Sequence, residues 1–247
     1  MKLQFRATLA LFLLLLLSYF WFSKGEYFIP AETLSALAFS ALKPLNFLSF
    51  ILIHTGLSHL IVNLLSIACF GLIVEGKLNA RDVTAVFVVS AIISGIVFLL
   101  LNPGTGLIGA SSGISGLIAA AVLLKPRQAA IAIITVLVVS NIGVLILTEG
   151  LEKMPEKEIK KIEREIQKAV EEKDAEKEAE LKTELEAKQL SAAKIKAGVI
   201  TQKLIRTDAL VHAAGALVGI AYLRVFRQKI FFEAIRNYGL LFKKTGL

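Results

Sequence analysis

The chain has 247 residues, 55% of them hydrophobic, and a mean hydropathy of +0.69, which excludes an ordinary soluble domain of this size. Its net charge of +8 is spread in a way that argues against a nucleic-acid partner. The single cysteine, Cys69, lies inside an apolar run, so a disulfide framework is excluded too.

In chain order, the apolar runs predict six membrane spans: Ala7–Phe22, Leu57–Val74, Val83–Leu101, Ser111–Leu124, Ala129–Thr148 and Ala209–Leu223. The fourth and sixth are short for a full crossing at ~1.5 Å of rise per residue. The first reads as a retained span rather than a signal peptide, because Trp21, Phe22, Ser23 and Lys24 stand where a small-x-small cleavage site would be needed.

Charge orients the spans. With the N-terminus in the cytoplasm, the cytoplasmic segments hold Lys2, Arg6, Lys77, Arg81, Lys125, Arg127, Arg224, Arg227, Lys229, Arg236, Lys243 and Lys244. The first outer loop holds only Lys24 and Lys43, offset by Glu26 and Glu32. This asymmetry matches the positive-inside rule. The net charge is therefore a topology signal, and both termini are expected in the cytoplasm of a multi-pass cell-membrane protein.

The segment from Glu149 to Asp208 differs from everything around it. It is rich in Glu, Lys, Ala and Leu, and its 14 basic and 15 acidic residues nearly cancel. Ile159, Ile162, Ile166 and Val170 form one narrow helical stripe, which resumes at Leu181 and Leu185. Pairs four apart, Glu156–Lys160 and Glu184–Lys188, support helix. Two helices joined near Lys173–Asp174 are predicted, packed as a hairpin or paired with another subunit. The expected fold class is an all-α, six-helix membrane bundle with this charged hairpin inserted between spans five and six. Its divisions are 1–148, 149–208 and 209–247.

The polar residues of the spans are not scattered. With that topology, spans two, four and six start on the same side, and His59, Asn63, Ser111 and His212 all lie near those starts. Polar groups at membrane depth are costly and mark functional sites. "NPGTGLIG", Asn102–Gly109, cannot be regular helix, so span four should begin at the floor of a wet cavity. A helix N-terminus there offers free N–H groups and positive potential, which a developing oxyanion needs. Each residue also has a plainer role. Ser111 or Ser112 would serve as an N-cap, His59 and Asn63 as an interhelical pair, and His212 as a satisfied core histidine. A metal site on His54, His59 and His212 is disfavoured, since His54 and His59 are five apart and no carboxylate accompanies them. A transporter would more often show a second broken span or an inverted repeat, and neither is evident.

Three stretches resemble the rhomboid intramembrane serine proteases. "HTGLSHLIVNLLSIACFG" resembles the family's His-x-x-x-Asn segment, "GASSGISGL" its serine motif, and "DALVHAAGALVGI" its histidine helix. Their order and the six-span plan match as well. The resemblance covers the spans and omits the insert and the tail. It implies a Ser–His dyad, with Ser111 as nucleophile and His212 as base, and an oxyanion hole of His59, Asn63 and the Ser111 N–H. It also implies transmembrane protein substrates in the lipid bilayer, with no metal or cofactor. Alternatives are an inactive family member that only binds, or a small-solute transporter.

Ser112 stands where the family has glycine, and the spacing to Gly116-Leu117 favours Ser111 as the nucleophile. Ser115 replaces an aromatic four after the serine, and the family's Trp-Arg pair in the first outer loop is missing. Asp208 is read as the N-cap of span six. Gly109, Gly113, Gly116 and Ala120, with Gly215 and Gly219, supply small faces for close packing of spans four and six. Ile230–Phe242 is expected to lie in the inner interface. The topology has a direct test: a cysteine placed at Lys173 should react with a membrane-impermeant maleimide in intact cells, and one at Lys125 should not. The reverse pattern overturns the orientation.

Overall fold

The computed structural model describes residues 5–204 and 209–245; for residues 148, 152, 154, 197–204 and 239–245 it describes the backbone alone. Asp208 lies outside the described residues. The chain divides after Ser140. The described residues before that point, with those from Ala209 onward, form one compact unit, and those from Asn141 to Leu204 form a second.

Every regular element among the described residues is a helix. Five are long and apolar enough to cross a bilayer. They are α1 (Arg6–Ser23), the segment Leu57–Glu75, α6 (Ala80–Leu101), α8 (Pro126–Glu171) and α10 (Ala209–Phe226). The second of these is composite: α4 (Leu57–Ser66), a π turn (Ile67–Gly71) and α5 (Leu72–Glu75). Helix α7 (Ser111–Leu124) has only 14 residues, ~21 Å at the α-helical rise, against a hydrocarbon core of ~30 Å. The membrane-facing sides are apolar, with Trp21 79% and Ile131 66% exposed, as lipid contact requires.

Three differences from the hydropathy reading have physical reasons. The loop after α1 is not featureless: it forms α2 (Ala31–Leu37), a 3-10 turn (Pro44–Phe47) and α3 (Ser49–Leu52). These pieces are too short to register as periodic runs. The last span is 18 residues rather than the shorter run ending at Leu223, because Arg224 adds charge without ending the helix. The helix that holds the fifth span does not stop at Thr148. Good helix formers come after it, and α8 continues unbroken through Pro155 to Glu171.

In the first unit, α6, α7 and α10 pack on one another as the central trio, with α1 against α6 and the π turn. Glycines set the spacing. A methyl group at Gly215 would overlap the Ser112 carbonyl oxygen, and one at Gly219 would lie 2.8 Å from the Gly116 Cα. On the other side of α7, a Cβ at Gly113 would lie 2.7 Å from the Phe87 carbonyl oxygen of α6. Such close approach is how membrane helices gain dispersion energy when lipid is as apolar as their side chains. Gly71 lets α1 approach the π turn in the same way, since a Cβ there would meet Thr8 at 2.8 Å. Helix α11 (Gln228–Thr245) comes after α10 and packs on α7 and α10. It buries Ala234 and exposes Lys229, Glu233 and Arg236. Its Tyr238 hydroxyl donates to the Val122 carbonyl.

Two buried carboxylates tie the helices together at the end remote from Ser111. Glu75 is 5% exposed. It accepts from the Ala7 and Thr8 amides, both at 2.9 Å, and from the Thr8 hydroxyl at 2.6 Å. It thereby satisfies the first-turn donors that α1 cannot bond internally. Asp82 is 3% exposed. It accepts from the Tyr222 hydroxyl at 2.9 Å and from Arg227, Nε at 2.9 Å and Nη2 at 2.8 Å. Arg227 comes directly after α10, so this fork clamps the end of α10 to the start of α6.

In the second unit, α8 and α9 (Ala175–Leu204) are separated by Glu172–Asp174, with Lys173 at φ 57°. The Asp174 carboxylate accepts from the Lys177 amide at 3.1 Å. Ile162, Ala169 and Leu181 are buried together, with Ile166 and Leu185 beside them. Lys188 pairs across to Glu158 of α8 rather than within its own helix with Glu184, and the carboxylate beside it raises its pKa.

Removing the Glu75 carboxylate should leave three buried donors of α1 without an acceptor. Glu75→Ala is expected to lower stability by ~1–3 kcal/mol, with Glu75→Gln losing less. Thermal unfolding of the purified protein in detergent measures this. An unchanged midpoint in Glu75→Ala would mean that α1 is not held by its cap.

Candidate active site

The site is built from three helix starts and one irregular loop. In the loop, Asn102–Ala110, the backbone of the inner residues bonds to the segment between α1 and α4, as irregular backbone that leaves solvent must. Leu107 and Phe39 exchange both backbone hydrogen bonds, at 2.8 and 3.0 Å, and the Gly109 amide donates to the Phe50 carbonyl at 2.8 Å. The rings of Phe39 and Phe50 stack, with centroids 5.4 Å apart. The small helices after α1 are thus the floor on which this loop rests.

Gly109 takes φ +106°, a conformation that L side chains rarely adopt. It also faces His59: a Cβ there would lie 3.0 Å from Cε1 and 3.1 Å from Nε2 of the imidazole. The His59 ring therefore lies against the backbone two residues before Ser111. Its other nitrogen, Nδ1, is 3.2 Å from the Thr55 hydroxyl. The fully buried His54 meets it edge-on, with ring centroids 5.0 Å apart and planes at 69°. Although five apart, His54 and His59 do touch, because His54 precedes α4 and is not bound by helical spacing.

Asn63 lies one helical turn beyond His59. It is 4% exposed, and its Nδ2 has no hydrogen-bond partner among the described residues. A buried amide donor left unused is costly and calls for an explanation.

Helix α7 starts at Ser111 with Ala110 at the cap position and no side-chain cap bond. Neither serine serves as the N-cap. The first ladder bond runs from the Ile114 amide to the Ala110 carbonyl at 3.1 Å, so the amides of Ser111, Ser112 and Gly113 precede the ladder and point out of the helix start. Ser111 is half-buried, whereas Ser112 is 1% exposed and its carbonyl is the atom on which Gly215 rests. Ser115 donates its hydroxyl to the Ser111 carbonyl at 2.9 Å.

His212 lies in the first turn of α10 and is half-buried. The contact of Gly215 with Ser112 brings that turn to the start of α7. All four sequence-predicted residues, His59, Asn63, Ser111 and His212, thus belong to the same end of the bundle. From His212 and Ser115 an apolar groove of about 620 Å³ runs along α7 and α10, past Ala119, Ala216 and Ile220, to Tyr238 of α11.

Sequence reasoning does not single out Thr55 or His54 as site residues. Thr55 does carry a signal, since it stands four before His59, but it lies outside the helix whose periodicity relates His59 to Asn63.

Residues 41–156 match the family model of the rhomboid domain. No curated protein and no solved structure matches the chain. The matched residues contain Phe50, His59, Asn63 and the start of α7, while Phe39 and His212 lie outside them. The match supports assignment of the chain to the rhomboid family.

Proposed function

We propose that the chain is a serine endopeptidase that cleaves transmembrane protein substrates within the bilayer, near the end of the bundle where α4, α7 and α10 begin. The observation that carries this reading is the meeting of His59, the Ser111 helix start and the first turn of α10, three segments far apart in sequence, around one irregular loop. Here the buried Asn63 Nδ2 has no partner among the described residues.

In this reading the Ser111 hydroxyl attacks the scissile carbonyl while His212 takes its proton. The carbonyl oxygen becomes an oxyanion, held by the Ser111 N–H at the positive end of α7, by Asn63 Nδ2 and by His59 Nε2. His212 then gives its proton to the leaving amine. Water attacks the resulting ester with His212 again as base, which frees Ser111. Thr55 is a positioning residue in this reading: for Nε2, the nitrogen beside Gly109, to carry the imidazole proton, Nδ1 must accept from the Thr55 hydroxyl 3.2 Å away. The groove from His212 along α7 and α10 is apolar and suits a substrate drawn from lipid.

Residues 1–148 and 209–247 form the membrane body in this proposal, with both termini cytoplasmic, and residues 149–208 stand on the outer side, where they are available for self-association. No cofactor takes part.

Ser111→Ala and His212→Ala should each abolish cleavage of a single-span reporter in proteoliposomes while leaving thermal unfolding unchanged, and the double variant should be no worse. Asn63→Ala should lose ~100- to 1,000-fold in kcat, the usual cost of one oxyanion donor. Thr55→Val should lower kcat without altering KM or stability, and Thr55→Ser should restore it. A fluorophosphonate should label Ser111. Labelling at Ser112 would overturn the assignment, and a folded wild type that neither labels nor cleaves would make the chain a binding protein.

A further inference from the structure

A second groove lies at the opposite end of the bundle, between the starts of α1 and α6. It encloses about 560 Å³ and is lined by Arg6 of α1 and by Arg81, Thr84, Ala85, Val88 and Val89 of α6. Its walls are apolar along α6, and both of its charged residues are arginines within two residues of their helix starts. Both helices start at this end, since Glu75, five residues before α6, caps α1.

The protein offsets only part of the charge there: Asp82 is neutralised by Arg227, and Glu75 leaves one carboxylate against two arginines. The two carboxylates nearby are already committed, Glu75 to the α1 amides and the Thr8 hydroxyl, Asp82 to Tyr222 and Arg227. Neither Arg6 nor Arg81 forms an ion pair among the described residues. Both are exposed. Two guanidiniums at the rim of an apolar groove between membrane helices form an amphipathic site whose polar end is cationic.

We infer that this groove binds an anionic phospholipid, with the phosphate between Arg6 and Arg81 and an acyl chain along Ala85, Val88 and Val89. Guanidinium forks match phosphate oxygens in pairs, and basic pockets between membrane helices take acidic headgroups. The charge count selects the lipid. A zwitterionic headgroup brings its own cation to a rim that already carries two, whereas phosphatidylglycerol brings only its phosphate. The bound lipid spans α1 and α6 and braces the start of α1 that Glu75 caps. This inference stands independently of the chemistry at Ser111.

The test uses the purified full-length protein in detergent micelles doped with equal mole fractions of dioleoyl-phosphatidylglycerol or dioleoyl-phosphatidylcholine. Retained lipid is read by native mass spectrometry, and stability by thermal unfolding. Phosphatidylglycerol should be retained and should raise the unfolding midpoint, while phosphatidylcholine should do neither. The Arg6→Gln/Arg81→Gln double variant should lose phosphatidylglycerol retention by ~10- to 100-fold, the worth of a charge-assisted contact. The Lys125→Gln/Arg127→Gln pair, equal in charge change, should retain it as wild type does. Ala85→Trp, which fills the groove and keeps both arginines, should also lose it, and it serves if the double variant fails to fold. Equal retention of the two lipids, equal loss in the two charge-neutralised pairs, or full retention in Ala85→Trp overturns the site.

Discussion

The close seating of α10 on α7 is the constraint on which the rest of the bundle depends. In lipid there is no hydrophobic gain from bringing two apolar helices together, so the contact must come from fit. Gly215 on the Ser112 carbonyl and Gly219 on Gly116 supply that fit. Because Gly215 is three residues from His212 and Ser112 is next to Ser111, the same contact that holds the bundle sets the approach of these two side chains. A bulkier residue at either glycine would not only weaken packing; it would move one half of the candidate site away from the other.

The two ends of the bundle solve opposite problems. At one end, polar groups are left available: the helix start at Ser111 has no side-chain cap, and Asn63 keeps a donor without a partner among the described residues. At the other end, the buried carboxylates are fully used. Glu75 takes three donors of α1, and Asp82 takes a tyrosine and an arginine fork. Buried carboxylates are tolerable only with such partners. The π turn at Ile67–Gly71 sits between these regimes in a single span. A π turn accommodates an extra residue per turn, which rotates the next stretch of helix by ~100°. One span can therefore present Asn63 to one neighbourhood and Glu75 to another.

Much of this is legible in the sequence, and the reasons for the remainder are specific. The motifs around His59, Ser111 and His212 combine residue type, spacing and position at span starts, and that conjunction is visible without coordinates. The shortness of α7 can be read from the run of 14 residues that ends before Lys125. The π turn cannot, since an inserted residue leaves an apolar stretch just as apolar. The caps by Glu75 and Asp82 are hidden because their partners are 67 and 140 residues away. The small helices of the first loop escape notice for want of length, and with them the pins under the serine loop. The helix of the fifth span runs on past Thr148 unannounced, because hydropathy reports burial in lipid and not the end of a helix.

The pins under the serine loop are made by backbone atoms: the Phe39–Leu107 pair and the Gly109 amide on the Phe50 carbonyl. Backbone bonds carry no information about side chains. The segment between Phe39 and Phe50 exposes Leu42 at 93% and Leu45 at 87%, and the loop residues Pro103–Gly106 are exposed too. The molecule thus separates a fixed scaffold from a rim that is free to drift. Under selection, this rim can explore new surfaces beside the serine at little cost to folding, so that lineages descending from one such protein would diverge in what they recognise long before they diverge in how they are built.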